Sequence, residues 1–191
     1  LPLNSFCFAS TLDDARFRYI SNVATFTQHP GERKMIMTEL TIGSPAPDFT
    51  LPRNGEGTVT LSGLRGKAVV LYFYPKDDTS GCTAEAIDFS ALGAEFEAAN
   101  TVVIGISPDS VKSHDKFAAK HKLSVMLAAD EERKALEAYG VWKEKSMYGK
   151  KYMGVERTTV LVAPDGTIAE IWNKVKVPGH AQAVLDAARK L

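Results

Sequence analysis

The feature that most constrains this chain is the run Ala68–Phe73 (AVVLYF), which is apolar throughout and shows no alternation. A strand that alternates needs cover on one face only. A strand apolar on both faces must lie in a sheet with other elements packed above and below it. Thr101–Ile106 (TVVIGI) repeats the pattern. Between the two, Ala86, Phe89, Gly93 and Phe96 recur at spacings of three and four, which predicts a helix from about Cys82 to Ala99.

The remaining segments extend this alternation of strand and helix. Gly43–Pro47 is a stiff, extended lead-in, because proline fixes φ and biases its predecessor away from helix. Val59–Leu61 reads as a short strand, and Leu64–Lys67 as a turn. A helix is expected from Ser107–Ser110 to about His121, a strand at Val125–Ala129 and a helix at Glu131–Tyr139. Thr158–Ala163 and Thr167–Trp172 flank the turn Pro164-Asp165-Gly166 and read as an antiparallel hairpin. A last helix runs from about Gly179 to Lys190. This order implies an α/β protein with a mixed central sheet flanked by helices, and it resembles the thioredoxin-like fold.

Charge and cysteine usage exclude several function classes. Lys plus Arg and Asp plus Glu both number 23, so the formal charge is zero. A dedicated nucleic-acid or anionic-membrane binder needs excess positive charge. The basic stretch Lys143, Lys145, Lys150 and Lys151 is accordingly read as a solvated loop. No apolar run reaches the roughly 20 residues a bilayer span requires. The two cysteines, Cys7 and Cys82, form no CxxC and no Cys/His cluster, so neither a disulfide framework nor zinc is implied. Scarce cysteine suits a reducing, cytoplasmic setting. The histidines His29, His114, His121 and His180 have no ligand-like spacing and are expected at the surface. Trp142 and Trp172 are expected in core or rim packing.

Residues 1–36 show no sustained period. Arg16 and Arg18 would suit a transit peptide, but Asp13 and Asp14 count against one. The segment is expected to be a disordered extension, or sequence upstream of a true start at Met35 or Met37, with the folded domain over 37–191.

The chemistry concentrates in Tyr72–Glu85, where a buried strand ends, a polar loop follows, and Cys82 falls in the first turn of a helix. Unpaired first-turn N–H groups and the helix dipole favour a thiolate there. The Thr79 hydroxyl can reach the sulfur or an oxygen bound to it, while Thr79 or Ser80 caps the helix. Pro75 stiffens the loop and shields the thiol. Glu85 reads as orienting the loop or satisfying the first helical turn. Arg157 opens a predicted strand, and its guanidinium would stabilise negative charge if that strand end borders the helix.

Pro75-(x)3-Thr79-(x)2-Cys82 resembles the peroxiredoxin active-site pattern, and YFYPKDDTSGCTAEA resembles the PrxQ, or bacterioferritin comigratory protein, subfamily. GSPAPDFTLP, VVIGIS and ERTTVLVAPDG extend the likeness across about Met37 to Leu191. The resemblance implies a cofactor-free, metal-free thiol peroxidase. Cys82 would be the peroxidatic nucleophile, Thr79 would bond the peroxide, Pro75 would shield the thiol and Arg157 would be the active-site arginine. The substrate would be hydrogen peroxide or an organic hydroperoxide. The reductant would be thioredoxin, glutaredoxin or a small thiol, and the protein a monomer or weak dimer. Many PrxQ proteins carry a resolving cysteine five residues after the peroxidatic one, where this chain has Ile87. A helical i, i+5 pair is rotated by about 140° and separated by over about 7 Å, beyond disulfide reach without unwinding. Ile87 is expected to pack in the helix. Cys7 is expected to be a tail thiol, which leaves a 1-Cys mechanism with an external reductant. The competing readings are a thioredoxin-type oxidoreductase, which lacks its CxxC, and a redox sensor or holdase chaperone that is oxidised once and stops.

A free thiol with pKa about 8.5 is only about 3% ionised at pH 7, and a pKa of about 6 would raise that to roughly 90%. The gain is about thirtyfold, or about 2 kcal/mol, and nucleophilicity falls as acidity rises. Ionisation alone therefore supplies little of a fast peroxidase rate; the groups around the sulfur must supply the rest.

Overall fold

In the computed structural model, described over residues 40–147 and 149–191, nine strands, five α-helices and one short 3-10 helix (Leu61–Leu64) follow one another. The expected boundary near residue 36, the reading of residues 1–36, Cys7 and His29 lie outside the described residues. In chain order the elements are β1 (Thr50–Pro52), β2 (Thr58–Thr60), β3 (Ala68–Phe73), α1 (Ser80–Ala91), α2 (Gly93–Ala98), β4 (Thr101–Ser107) and α3 (Val111–His121). They continue with β5 (Met126–Ala129), α4 (Lys134–Ala138), β6 (Trp142–Met147), β7 (Lys150–Val155), β8 (Thr158–Val162), β9 (Ile168–Asn173) and α5 (His180–Ala188).

The central sheet has the order β5-β4-β3-β8-β9. β3 pairs parallel with β4 and antiparallel with β8, so it is the middle strand, and every one of its residues is buried. Its side chains split by parity. Val69, Leu71 and Phe73 enter one core, with Ile104, Ile106, Leu136 and Tyr139. Ala68, Val70 and Tyr72 enter the other, with Cys82, Phe89, Phe96, Phe117 and Val184. The unbroken apolar run thus serves two cores, which is the condition that β3 set at the level of sequence. Gly105 lies opposite Tyr72 in the β3–β4 ladder. A Cβ there would sit 2.4 Å from the Tyr72 ring, so only glycine admits the ring across the strand.

Several elements depart from their expected extents. The helix expected from Cys82 to Ala99 breaks at Leu92, giving α1 and α2. Ser90 accepts from the Ser124 N–H at 3.1 Å, and the Ser124 hydroxyl donates to the Ser90 carbonyl at 3.3 Å. These bonds tie the end of α1 down just before Gly93, a weak helix former. The helix expected at Glu131–Tyr139 shrinks to α4, because Arg133 adopts a left-handed φ of 62° and Asp130 accepts from the Leu136 N–H at 2.8 Å. The basic stretch is not a loop. It forms the β6–β7 hairpin, where Lys143 pairs with Glu156 at 2.7 Å and Lys151 with Glu144 at 2.9 Å. Local ion pairs thus offset part of its charge. Ile87 does not pack in the helix; it is 43% exposed, because it lies off the stripe that α1 buries.

Candidate active site

Cys82 is the third residue of α1 and belongs to the stripe Cys82, Glu85, Ala86 and Phe89, all buried and spaced by three and four. Phe89 stacks on Tyr72, with centroids 4.8 Å apart, and Tyr72 stacks on Tyr74 at 5.5 Å. Such contacts contribute about 0.5–1.5 kcal/mol each beyond area burial. They press α1 onto β3, so the thiol rests on the sheet and is only 1% exposed. The Thr83 N–H is the first to close a helical bond, to the Thr79 carbonyl at 2.8 Å. The N–H groups before it, including that of Cys82, have no acceptor inside the helix.

Arg157 reaches this point because of strand pairing. β8 runs antiparallel to β3, with Thr158 opposite Phe73. The residue preceding β8 therefore lies beside the end of β3, where the loop into α1 begins. Its Nη2 donates to the Cys82 Sγ at 3.2 Å, and its Nη1 donates to the Glu85 Oε2. Gly81 lies under the guanidinium, where an added Cβ would sit 3.4 Å from Nη2. Burial works against the Arg157 charge, but Glu85 and Cys82 outweigh it and hold the pKa above its ordinary value.

Glu85 is the residue whose role the sequence reading missed. Its side chain does not satisfy the first helical turn; it is 1% exposed and pairs with Arg157. Its Oε1 has no hydrogen-bond partner among the described residues. Burial pushes its carboxyl up to about 7 although Arg157 pulls the other way. Extending the apolar stripe one turn back from Ala86 would have placed Glu85 and Cys82 on the buried face together.

The four expected site residues divide into two pairs. Cys82 and Arg157 are in contact. Thr79 and Pro75 stand on the exposed loop ahead of them. Thr79 occupies the N-cap position without a side-chain capping bond, and its hydroxyl donates to the Lys76 carbonyl at 3.2 Å. The first-turn N–H groups therefore stay uncapped by that side chain. Two histidines expected at the surface are buried. His114 is fully enclosed against Asp77. His180 lies 2.8 Å from the Thr159 hydroxyl and packs edge-on to Phe89 and Trp172. Burial, and then the nearby Arg157, lower the His180 pKa to about 4, so it is neutral at pH 7. Trp142 is half-buried, with Arg133 5.3 Å over its ring.

A thioredoxin-like fold that offers one buried, arginine-held cysteine at a helix start, with no second cysteine among the described residues, defines a thiol-based redox enzyme. Residues 42–171 match the AhpC/TSA family. The chain is 46% identical to peroxiredoxin Bcp of Xanthomonas campestris over 155 residues, 80% of this chain and 97% of that one. It is also 46% identical to peroxiredoxin Bcp of Bacillus subtilis over 150 residues, 78% and 96% of the two chains. Among solved structures it matches the X. campestris bacterioferritin comigratory protein, described in terms of alkyl peroxide reduction. The TM-score is 0.74 at 44% identity, with 79% and 96% of the chains covered. A serine-for-cysteine mutant of Xylella fastidiosa PrxQ matches with a TM-score of 0.76 at 40% identity, covering 80% and 98%. The chain belongs to the AhpC/TSA family, on its PrxQ/Bcp peroxiredoxin branch, and is a thiol-dependent peroxidase using a peroxide substrate and a thiol reductant.

Proposed function

We propose that Cys82 is the peroxidatic nucleophile of a 1-Cys cycle, with Arg157, Thr79 and Pro75 as its site residues. The observation that carries this reading is the 3.2 Å bond from Arg157 to a sulfur buried at a helix N-terminus. The Cys82 thiolate attacks the terminal oxygen of a hydroperoxide. The S–O bond forms as the O–O bond breaks, and the sulfur is oxidised to sulfenic acid. The alkoxide or hydroxide leaves and takes a proton from solvent to become alcohol or water. Arg157 stabilises the charge that moves from sulfur to the leaving oxygen, and first-turn N–H groups add to that field. The Thr79 hydroxyl, released from the Lys76 carbonyl, bonds the bound peroxide, and Pro75 limits water access.

An external thiol then displaces the hydroxyl as water and forms a mixed disulfide. A second thiol releases Cys82 and leaves as the disulfide. Ile87 supports this route, since it stands exposed where a resolving thiol would otherwise lie. The sulfenic acid must wait for the external thiol, and overoxidation competes in that interval. Thioredoxin, glutaredoxin and small thiols are the candidate reductants, and we place the protein in the cytoplasm as a monomer or weak dimer. Among the described residues, no helix is long and apolar enough to cross a membrane.

The test is steady-state peroxide consumption by the wild type and Cys82→Ser with each reductant in turn. The wild type is expected to cycle, and the variant to lose on the order of 10⁴-fold or more of the rate. A wild type that consumes one equivalent and stops would be a sensor. Mass analysis after one equivalent should find a single added oxygen on Cys82; a Cys7–Cys82 disulfide would refute the 1-Cys cycle.

A further inference from the structure

The stretch from Pro75 to Ser80, between the buried Tyr74 and the body of α1, carries two of the proposed site residues, yet it has no buried apolar side chain to hold it. Pro75, Lys76, Asp78, Thr79 and Ser80 are all exposed. The single buried side chain among residues 75–80 is a carboxylate, Asp77, which is 7% exposed. A segment whose only buried group is charged is held by that group's hydrogen bonds, not by burial.

Those bonds lead to Tyr74 just after β3, to Asp109 just after β4, and to α3. The Asp77 Oδ1 accepts from the Tyr74 hydroxyl at 2.7 Å, and its Oδ2 accepts from the Ser113 hydroxyl at 2.6 Å. The His114 Nδ1 lies 2.9 Å from Oδ2 and 3.1 Å from Oδ1. A carboxylate can only accept, so the network assigns a proton to Nδ1. The Asp77 N–H donates to the Asp109 Oδ2 at 2.8 Å, and the Ser107 hydroxyl donates to the same oxygen at 2.8 Å. His114 is wholly buried on α3, and its Nε2 has no partner among the described residues. Among the described residues its side chain also lies 3.4 Å from the Tyr74 hydroxyl, so its polar contacts fall on Asp77 and on the residue that leads into this loop. Simple packing at such a position would be met by an apolar residue, as Phe117 meets it one turn later. Asp78 adds a weaker, exposed fastening to Lys120 at 2.5 Å and His121 at 2.8 Å.

We propose that the buried Asp77–His114 pair is a positioning latch, holding the 75–79 loop shut for attack on peroxide and restraining its opening to the reducing thiol. The proposal rests on the reading of Cys82 as the peroxidatic residue. In this arrangement Cys82 is only 1% exposed, so the thiol of a protein partner can meet it only after the segment leading into α1 moves. The latch therefore pulls the two half-reactions in opposite directions, which a merely structural residue would not do.

The test measures the half-reactions separately by rapid mixing. Reduced protein is mixed with hydrogen peroxide, and sulfenic-acid protein with a reduced thioredoxin. Asp77→Asn sets an amide NH₂ against at least one of three donors, and His114→Ala removes one donor. Both are expected to slow oxidation by about 10- to 100-fold, the scale of a displaced reacting group. Reduction is expected to proceed at least as fast as in the wild type. His114→Asn keeps a donor near the Nδ1 position and is expected to fall between His114→Ala and the wild type. Thermal unfolding of each variant reports stability separately, and the His114 pair carries the test if Asp77→Asn fails to fold. Variants that lose stability but keep both rates, or that lose both in equal proportion, would overturn the latch. A wild type that does not react with peroxide at Cys82 would instead overturn the reading on which the latch rests.

Discussion

Two buried carboxylates flank Cys82 in sequence, Asp77 in the loop before it and Glu85 in the helix after it, and the protein treats them in opposite ways. Glu85 is 1% exposed and, among the described residues, has a single partner, Arg157, with one oxygen left unbonded. Burial pushes its carboxyl up to about 7. Asp77 is also buried, and burial again works against its charge, but bonds from His114, Ser113 and Tyr74 win and hold its pKa below 3.8. The difference lies in the number of donors each carboxylate is given. It separates two tasks: Asp77 stays charged and serves as a fixed anchor, whereas Glu85 sits near its titration point while holding the arginine that holds the sulfur.

The largest effects should fall on the site residues the two carboxylates support, Arg157 paired with Glu85 and Thr79 on the loop that Asp77 anchors. Arg157→Ala and Thr79→Val are each expected to lower the second-order rate of Cys82 with hydrogen peroxide by about 10²–10³-fold. The loss should far exceed the change in thiolate fraction, read from the ultraviolet absorbance of the thiolate against pH. Rate losses that follow thiolate fraction alone would show that the pocket does nothing beyond ionising the cysteine.

The next effect tests the poised carboxylate directly. Glu85 binds its proton more tightly when folded, about 7 against 4.5, so the stability it contributes is present below pH 4.5 and is lost as pH rises through about 7. Glu85→Gln has no such group. Denaturant unfolding of both proteins from pH 5 to 8 should show their stability difference moving toward the variant by on the order of 2–3 kcal/mol. His180, neutral when folded, loses stability as pH falls below 6.5, but it is common to both proteins and drops out of the difference. Asp77 has the opposite sign to Glu85: its contribution is present above pH 3.8 and is lost as pH falls below it. A pH-independent difference between wild type and Glu85→Gln would remove the contrast between the two carboxylates.

The smallest effect concerns the position of the missing thiol. Ile87→Ala should change unfolding free energy by less than about 0.5 kcal/mol, because the side chain is 43% exposed. A loss of several kcal/mol would mean that Ile87 packs against something, as first expected from the sequence.

Most of the scaffold was legible in the chain. The period-free run Ala68–Phe73 demanded a two-sided sheet, and β3 is that strand. Pro164-Asp165-Gly166 marked the hairpin of β8 and β9. The place of Cys82 in the first turn of α1 was legible because a helix start is a local feature. What failed was local reading of non-local partners. The lysine-rich stretch reads as a solvated loop when only the balance of charge is weighed, yet cross-strand pairing makes it the β6–β7 hairpin. Glu85 reads only as orienting the loop or satisfying its own helix turn, because its partner lies 72 residues away. His114 and His180 were assigned to the surface because nothing nearby in sequence announces Asp77 or Thr159.

The sequence by itself determined the α/β class, the middle strand, and a single cysteine placed where a helix begins. Apolar period, glycine and proline positions and helix-start geometry act over a few residues, so they can be read one segment at a time. Only the tertiary structure decided what surrounds that cysteine. The antiparallel register of β3 and β8 delivers Arg157 to the sulfur, the pressing of α1 onto β3 buries Glu85, and α3 closes His114 onto Asp77. Charges in these places are set by burial and by donors from distant segments, and neither exists until the chain has folded.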